Sequence, residues 1–382
     1  MTGATQTIDA AHGEGGGQVL RAALSLAVVL GRPVTLRGIR ARRPRPGLQP
    51  QHLTVVRALA AISDAEVRGD ALDSTEVTFV PRTVRGGAYD FDIGAIRGSA
   101  GSVSLLFQAL LLPLSRAPQP SRLVLRGGTH VPWSPPVPYL DAVFLPALRR
   151  IGVRTQLTLR RWGWYPAGGG ELEASITPTD SWTAIRWEQE SAPSPLVSGL
   201  SVVSRLPRSI AERQRARALE RLAPAGFAPG IAIREDDTAL GPGTMILLTA
   251  TGESAYAGFS ALGRRGVRAE TVADEAVDPL LGYLQSRAAV DDHLADQLVP
   301  FLALAAAPSS FTCPRISQHL RTVGWLVEQM LPVRVVARDG RPARVDISPS
   351  APGTAGRATA ASPSACTGAA RRSRPGRSRP PR

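Results

Sequence analysis

Five places in the chain gather residue types that can bind or move a phosphoryl group. Gly13-Glu14-Gly15-Gly16-Gly17-Gln18 precedes an apolar helical stretch; glycines let backbone N–H groups approach an anion, and a helix start favours negative charge. Glu14 could hold a divalent metal beside a phosphate, or be a solvated carboxylate on a tight turn. Arg37, Arg40, Arg42, Arg43 and Arg45 fall within nine residues, followed by Gln51-His52. Their guanidinium forks suit phosphate, and Arg21, one turn into the first helix, could join them; a solvated basic loop is the plain alternative. Gly98-Ser99-Ala100-Gly101-Ser102 leads into a helix that sets Gln108 among leucines, where a buried amide needs a partner in the protein or on a ligand. Asp292-His293-Leu294-Ala295-Asp296-Gln297 opens another helix, with 292 and 296 on one face and 293 and 297 on another. Such a start could hold a ribose or adenine edge, bind metal through His293 and Asp296, or merely cap the helix. His319 begins a further helix after Ser317-Gln318.

Composition narrows the chemistry. All 45 basic side chains are arginine; there is no lysine. A P-loop lysine, a pyridoxal Schiff base, a Ser–Lys pair and a lysine nucleophile for nucleotidyl transfer are therefore excluded. If a covalent nucleotidyl intermediate forms, a neutral imidazole is the natural nucleophile left at pH 7. His319 is the candidate. His52 occupies the matching slot of an earlier segment beside the arginines, where binding phosphate suits it better than attacking it. Two cysteines build neither a disulfide scaffold nor a Cys-rich zinc site. The net charge is +14, and seven arginines but no acid follow Asp346. The Pro/Ser/Ala/Gly/Arg composition of 348–382 predicts disorder, and the remainder is still basic, which favours a polyanionic partner. The N-terminus lacks the basic and apolar regions of a signal peptide, and no apolar run is long enough to span a bilayer. A cytoplasmic protein that does not engage a membrane is expected.

The elements that must position these residues follow one pattern three times: a polar or Gly-rich turn, an apolar helix, a strand, a second helix, a strand. The first copy reads helix 18–31, strand 34–40, helix 50–63, strand 65–68. The second reads helix 102–114, strand 122–126, helix 137–151, strand 154–159. The third reads helix 293–306, strand 310–312, helix 317–331, strand 333–337 and a closing strand at 343–347. Gln-His-Leu opens the second helix in copies one (51–53) and three (318–320). Between copies two and three, strands at 183–188, 197–205, 230–234, 244–251 and 255–262 and helices at 210–222 and 269–286 break the rhythm. The expected fold class is α+β, with three βαβαββ-type repeats in a pseudo-threefold body (1–183 and 280–347), a smaller inserted α+β domain (184–279) and an Arg-rich tail (348–382).

Taken together, GEGGGQVLR (13–21), RARRPRPGLQPQHL (40–53), GSAGS with Gln108, GGTHVPWSPP (127–136), GWYPAGGGE (163–171), HLADQ (293–297) and SQHLRT (317–322) resemble the RNA 3′-terminal phosphate cyclase family over about 8–347. The resemblance implies ATP and a divalent cation (Mg²⁺ or Mn²⁺) as cofactors and an RNA with a 3′-phosphate end as partner. It implies a histidyl–AMP intermediate, transfer of AMP to the RNA 3′-phosphate, and closure of a 2′,3′-cyclic phosphate with release of AMP. On this basis His319 is the nucleophile and Glu14 the metal ligand. Gln108, Pro135, His293, Leu294, Ala295, Asp296 and Gln297 bind ATP, with Pro135 and His293 flanking adenine. Arg21, Arg40, Arg43, Gln51 and His52 hold the RNA phosphate or the pyrophosphate side. Two positions depart from the family pattern: His293 replaces a tyrosine found in some members, and Val323 stands where some carry asparagine after the threonine. The rival reading is a catalytically inactive cyclase-like protein in RNA binding or ribosome assembly; relatives of that kind lack the histidine that this chain keeps at 319. A homodimer is compatible with either, though the sequence carries no interface signature.

Overall fold

The computed structural model describes residues 5–96, 98, 100–188 and 195–350. β1 (Gln6–Asp9) passes through the first glycine run into α1 (Gln18–Leu30). Leu20, Leu24 and Leu26 of α1 are fully buried, and the helix stops at Gly31, whose φ of 60° turns its N–H back onto the carbonyls of Ala27 and Val28. β2 (Val34–Arg37), α2 (Pro50–Ser63), β3 (Glu66–Arg68) and β4 (Glu76–Val80) complete a sheet of order β1-β2-β4-β3, in which only β1 and β2 run parallel. The next stretch supplies β5 (Ala88–Asp92), α3 (Val103–Leu114), β6 (Ser121–Gly127), α4 (Val137–Tyr139), α5 (Leu145–Ile151), β7 (Arg154–Arg161) and β8 (Gly170–Thr177). Its sheet, β5-β6-β8-β7, has the same order and the same pairing senses. A single wide π turn, Leu140–Phe144, joins α4 to α5. Pro146 just beyond it has no N–H to return to the preceding turn, which explains why the expected continuous helix over 137–151 loosens there.

β9 (Arg186–Trp187) precedes a second body of structure: β10 (Leu196–Ser204), α6 (Arg208–Leu222), β11 (Gly230–Asp236), β12 (Gly243–Thr251), β13 (Tyr256–Leu262) and α7 (Ala269–Ser286). These strands form the sheet β11-β10-β12-β13, and α6 and α7 pack over it around their own apolar cluster, which includes Ile246, Leu248, Val272, Val277 and Leu280. The chain then makes α8 (Asp292–Leu302), β14 (Ser309–Cys313), α9 (Gln318–Met330), β15 (Val333–Arg338) and β16 (Ala343–Pro349). Here the sheet order is β9-β14-β16-β15, with β9 parallel to β14. The molecule is thus of mixed α+β class. α1 packs against α2, α3 and α9, and α8 against α9, so the N-terminal ends of α1, α2 and α9 converge.

The structure departs from the sequence reading in four places. Strands β1, β4, β5 and β8 form where none was expected. The strand expected at 34–40 ends at Arg37, because Gly38 (φ 70°) and Arg40 (φ 55°) turn the backbone away. The strand expected at 183–188 forms only at Arg186–Trp187 and pairs with β14 rather than with β10–β13. Ser348 and Pro349, assigned to the tail, finish β16; residues 351–382 of the Arg-rich segment lie outside the described residues, as does Ser99 of the second glycine run.

Candidate active site

The first glycine run reaches α9 because of what it lacks. Gly13 sits at φ 67°, and a Cβ there would lie 2.1 Å from Thr322 Oγ1. Only glycine allows that turn to rest on the first coil of α9. His12, next to it, stacks on Trp325 of the same helix at 3.8 Å between ring centroids. α9 itself starts at Ser317, whose side chain accepts from the Leu320 N–H at 3.1 Å. With both pieces fixed, His319 Nε2 stands 3.0 Å from Glu14 Oε2. The same oxygen accepts from Arg43 Nη2 at 3.2 Å, and Arg42 Nη1 donates to the Gly13 carbonyl at 3.0 Å. Glu14, Arg43 and His319 are all more than a third exposed, so a ligand can reach each of them.

Behind this rim, Gly17 permits a second close approach. A Cβ at that position would fall 2.5 Å from His52 Nε2 and 2.8 Å from Arg21 Nη1. His52 is buried at the start of α2, where its Nδ1 accepts from the Gln49 N–H at 3.3 Å. Burial first, and the Arg21 and Arg40 charges second, push its pKa down to about 3, so the ring is neutral in the working range. Burial lowers Arg21 to about 10 against the opposing pull of Asp296, leaving it charged at neutral pH. Burial also lowers Arg40, with Arg43 adding repulsion; its Nη1 donates to the Arg45 carbonyl and to that of Gly47 at 3.3 Å. Gln51 Oε1 accepts from the Ser102 N–H at 3.4 Å, which joins the second glycine run to α2.

Beneath the rim, α1, α3 and α8 enclose a cavity of about 100 Å³ lined by Gln18, Arg21, Gln108, Asp296 and Gln297 among apolar residues that include Phe144 and Val323. Gln108 Nε2 donates to Gln297 Oε1 at 2.8 Å, so the amide singled out in α3 finds its partner 189 positions away. Gln18 Nε2 donates to Asp296 Oδ2 at 2.9 Å and to the His319 carbonyl at 3.3 Å. Burial, with Asp291 nearby, pushes the Asp296 carboxyl up to about 8; it is held protonated at neutral pH and can donate a hydrogen bond to a ligand. Asp291 fixes this end of α8. Fully buried, it accepts from the N–H groups of His293 and Leu294 (both 2.8 Å) and Gly258 (3.0 Å), and from the Tyr139 hydroxyl.

The structure brings together His319, Glu14 and Arg43 at the rim and Arg21, Gln108, Asp296 and Gln297 at the cavity, with His52, Arg40 and Gln51 alongside. Others stand apart. Leu294 and Ala295 are fully buried in the core, so only their backbone could meet a ligand. His293 is exposed and does not line the cavity, and Pro135 lies on a segment bordering a different cleft. Among the described residues no cluster of three or more His, Cys, Asp or Glu side chains is placed to hold a metal, which gives the His293–Asp296 metal alternative no support. Sequence reasoning passed over Gln18, Thr322 and Asp291 as site residues. Gln18 closes the first glycine run, and that position was the available signal for it.

Comparison with known proteins adds a consistent finding. A family model described as RNA 3′-terminal phosphate cyclase matches residues 12–337. A protein of Gloeothece citriformis named RNA 3′-terminal phosphate cyclase is 45% identical over 318 residues, covering 82% of this chain and 90% of its own length. One of the same name from Methylococcus capsulatus is 45% identical over 334 residues, covering 87% and 92%. Another, from Ignicoccus hospitalis, is 44% identical over 332 residues, covering 85% and 92%.

Proposed function

The chain belongs to the RNA 3′-terminal phosphate cyclase family, and on that premise we propose how its own residues convert an RNA 3′-phosphate to a 2′,3′-cyclic phosphodiester with ATP. One observation carries the reading. A single amide, Gln18 Nε2, reaches both Asp296 in the cavity and the carbonyl of His319, which couples the cluster of polar side chains there to the only nucleophile type that a lysine-free chain offers for this chemistry.

His319 attacks the α-phosphorus of ATP; a P–N bond forms and pyrophosphate leaves. An oxygen of the RNA 3′-phosphate then attacks the same phosphorus, breaking the P–N bond and restoring the imidazole. Finally the vicinal 2′-hydroxyl attacks the activated 3′-phosphorus, loses its proton, and expels AMP. Activation is needed because a phosphate dianion is a poor electrophile with a poor leaving group, whereas the attacking hydroxyl already sits on the same ribose at high effective molarity. The Glu14 contact requires a proton on His319 Nε2, so attack through that nitrogen follows once Glu14 withdraws and the ring carries its proton on Nδ1. Gln108, Gln297, Asp296 and Arg21 orient the nucleotide; Arg40, Arg43, Gln51 and His52 hold the RNA phosphate or the departing pyrophosphate. Adenine would lie between Pro135 and His293. A divalent cation fits at Glu14, since Mg²⁺ commonly takes one protein carboxylate and completes its shell with water and substrate phosphates. Bound there it would offset the charge of the triphosphate.

In the same reading, the three sheets of matching order are copies of one βαβαββ unit around a pseudo-threefold axis, and β10–α7, with its separate apolar cluster, is a domain inserted into the third copy after β9. The enzyme works in the cytoplasm. The test is direct: incubation with α-labelled ATP and Mg²⁺ leaves acid-labile, alkali-stable label on the protein; His319→Ala abolishes it and His52→Ala does not. Label that persists in the His319 variant would move the nucleophile elsewhere, and an unlabelled wild type that still binds RNA would favour the inactive relative.

A further inference from the structure

A cleft of about 1110 Å³ separates the 130–136 and 164–166 segments from the α6, β13 and α7 region. Its lining includes two aromatic rings that the core does not use: Trp133 is fully exposed and Tyr165 is 60% exposed. Trp133 also sits at φ 59°, a backbone conformation that bulky side chains rarely adopt. Four arginines, Arg213, Arg264, Arg265 and Arg268, line the cleft, with two carboxylates, Glu270 and Glu275, set against them. Arg264 pairs with Glu275, and Arg213 and Arg268 with Glu270, while Arg265 has no carboxylate within 4.0 Å among the described residues. Three side chains of the lining each have a buried polar atom with no hydrogen-bond partner among the described residues: His130 Nε2, Trp164 Nε1 and Gln214 Nε2. The indole and amide nitrogens are donors only, so what they lack is an acceptor.

Hydrogen bonds run from this cleft to the residues assigned to the terminal phosphate. Gln51 Oε1 accepts from the Ser102 N–H at 3.4 Å, and the adjacent Gly101 carbonyl accepts from the Gly128 N–H at 2.8 Å. Two residues on, the His130 N–H donates to the Gly163 carbonyl at 3.0 Å, and its carbonyl accepts from the Tyr165 N–H at 3.1 Å. The two loops bearing the exposed rings are therefore anchored on the same turn that abuts α2.

We propose that this cleft carries the single-stranded RNA immediately 5′ of the terminal phosphate, with bases stacked on Trp133 and Tyr165 and the phosphodiester backbone facing Arg264, Arg265 and Arg268. The inference rests on the RNA-end chemistry argued above and adds the path of the strand. Aromatic faces beside a basic groove bind single strands with little regard to sequence, because every base has a face to stack. The excess of arginine over carboxylate favours a polyanion over a peptide as the occupant.

The probe is a 5′-fluorescent RNA of about ten nucleotides ending in a 3′-phosphate, titrated by anisotropy against the full chain without ATP and competed by an unlabelled dinucleotide with the same end. The double variant Trp133→Ala/Tyr165→Ala weakens binding of the longer RNA about tenfold. The concentration of dinucleotide needed to compete, and labelling of the protein by α-labelled ATP, stay as in wild type. Arg265→Glu lowers the slope of log affinity against log salt by about 1. Unchanged affinity for the longer RNA in the double variant overturns the proposal and leaves the cleft to a non-nucleic partner; equal loss for both RNAs also overturns it. Should the wild type take no label from ATP while its RNA binding still depends on Trp133, the catalytic reading fails and the strand path stands.

Discussion

Between α6 and α7, Arg213 donates twice to Glu270 at 2.7 Å, Arg217 donates to Asp274 at 2.9 Å, and Arg221 reaches Asp274 and Asp278 at 2.7 Å each. In the 21–45 segment, apart from Arg37, which pairs with Glu76 at 3.0 Å, the same residue type is differently employed. Arg21, Arg40, Arg42 and Arg45 have no carboxylate within 4.0 Å among the described residues; Arg40 and Arg42 donate to backbone carbonyls, and Arg43 shares Glu14 with His319. In the first region charge is neutralised within the fold, and the pairs act as fasteners between two helices. In the second, positive charge is held in position without an equal negative charge, which disfavours the empty protein and favours the arrival of a polyanion. Charge count alone, +14 for the chain, could not separate these two uses; the partners of each guanidinium do.

The contrast can be broken in order of effect. Arg43→Ala should lower kcat/KM for cyclisation on the order of 100-fold and flatten its dependence on salt; an effect no larger than that of a paired arginine would remove the distinction between the regions. Next comes pH. The Asp296 carboxyl, raised to about 8 by burial and by Asp291, is neutral below that value and negative above it, so the KM for ATP should climb several-fold as pH passes through about 8. Asp296→Asn should hold KM level across the same range. The same shift acts on stability with a definite sign. Because the unfolded chain ionises this group near the ordinary carboxylate value of 3.8 and the folded chain does not, unfolding becomes easier as pH rises from there towards 8, and is indifferent to this group beyond. The smallest effect belongs to the fasteners: Arg217→Ala should lower the midpoint of denaturant melts only slightly while protein labelling and cyclisation remain as in wild type.

Much of this was legible before any coordinates. Helices with a clear apolar period, such as Gln18–Leu30 and Pro50–Ser63, lie within a residue of where the pattern set them, because a buried stripe repeats every turn and a glycine or αL residue ends it. Short strands did not show. Gln6–Asp9 has one buried side chain in four, which is no periodic signal at all. The strand at Arg186–Trp187 was grouped with its neighbours in sequence, whereas its partner begins at Ser309; pairing across such a distance leaves no local trace. At the site, residue types were readable and their mutual geometry was not. Glu14 was read as a metal ligand, and its contacts with His319 and Arg43 left no trace in the sequence, while Gln108 was expected to seek a partner and finds Gln297. Leu294 and Ala295 belonged to a motif whose Asp296 and Gln297 reach the cavity, but a helix gives each residue its own direction, and theirs is inward.

The contact at 3.0 Å between His319 and Glu14 joins residues 305 positions apart. A growing chain lays down its glycine turn, its arginines and most of the cavity beneath them long before it acquires the imidazole. On the proposed chemistry, nascent or truncated polypeptides that stop short of α9 would be unable to adenylate themselves, and spending ATP would be a property of the finished molecule alone.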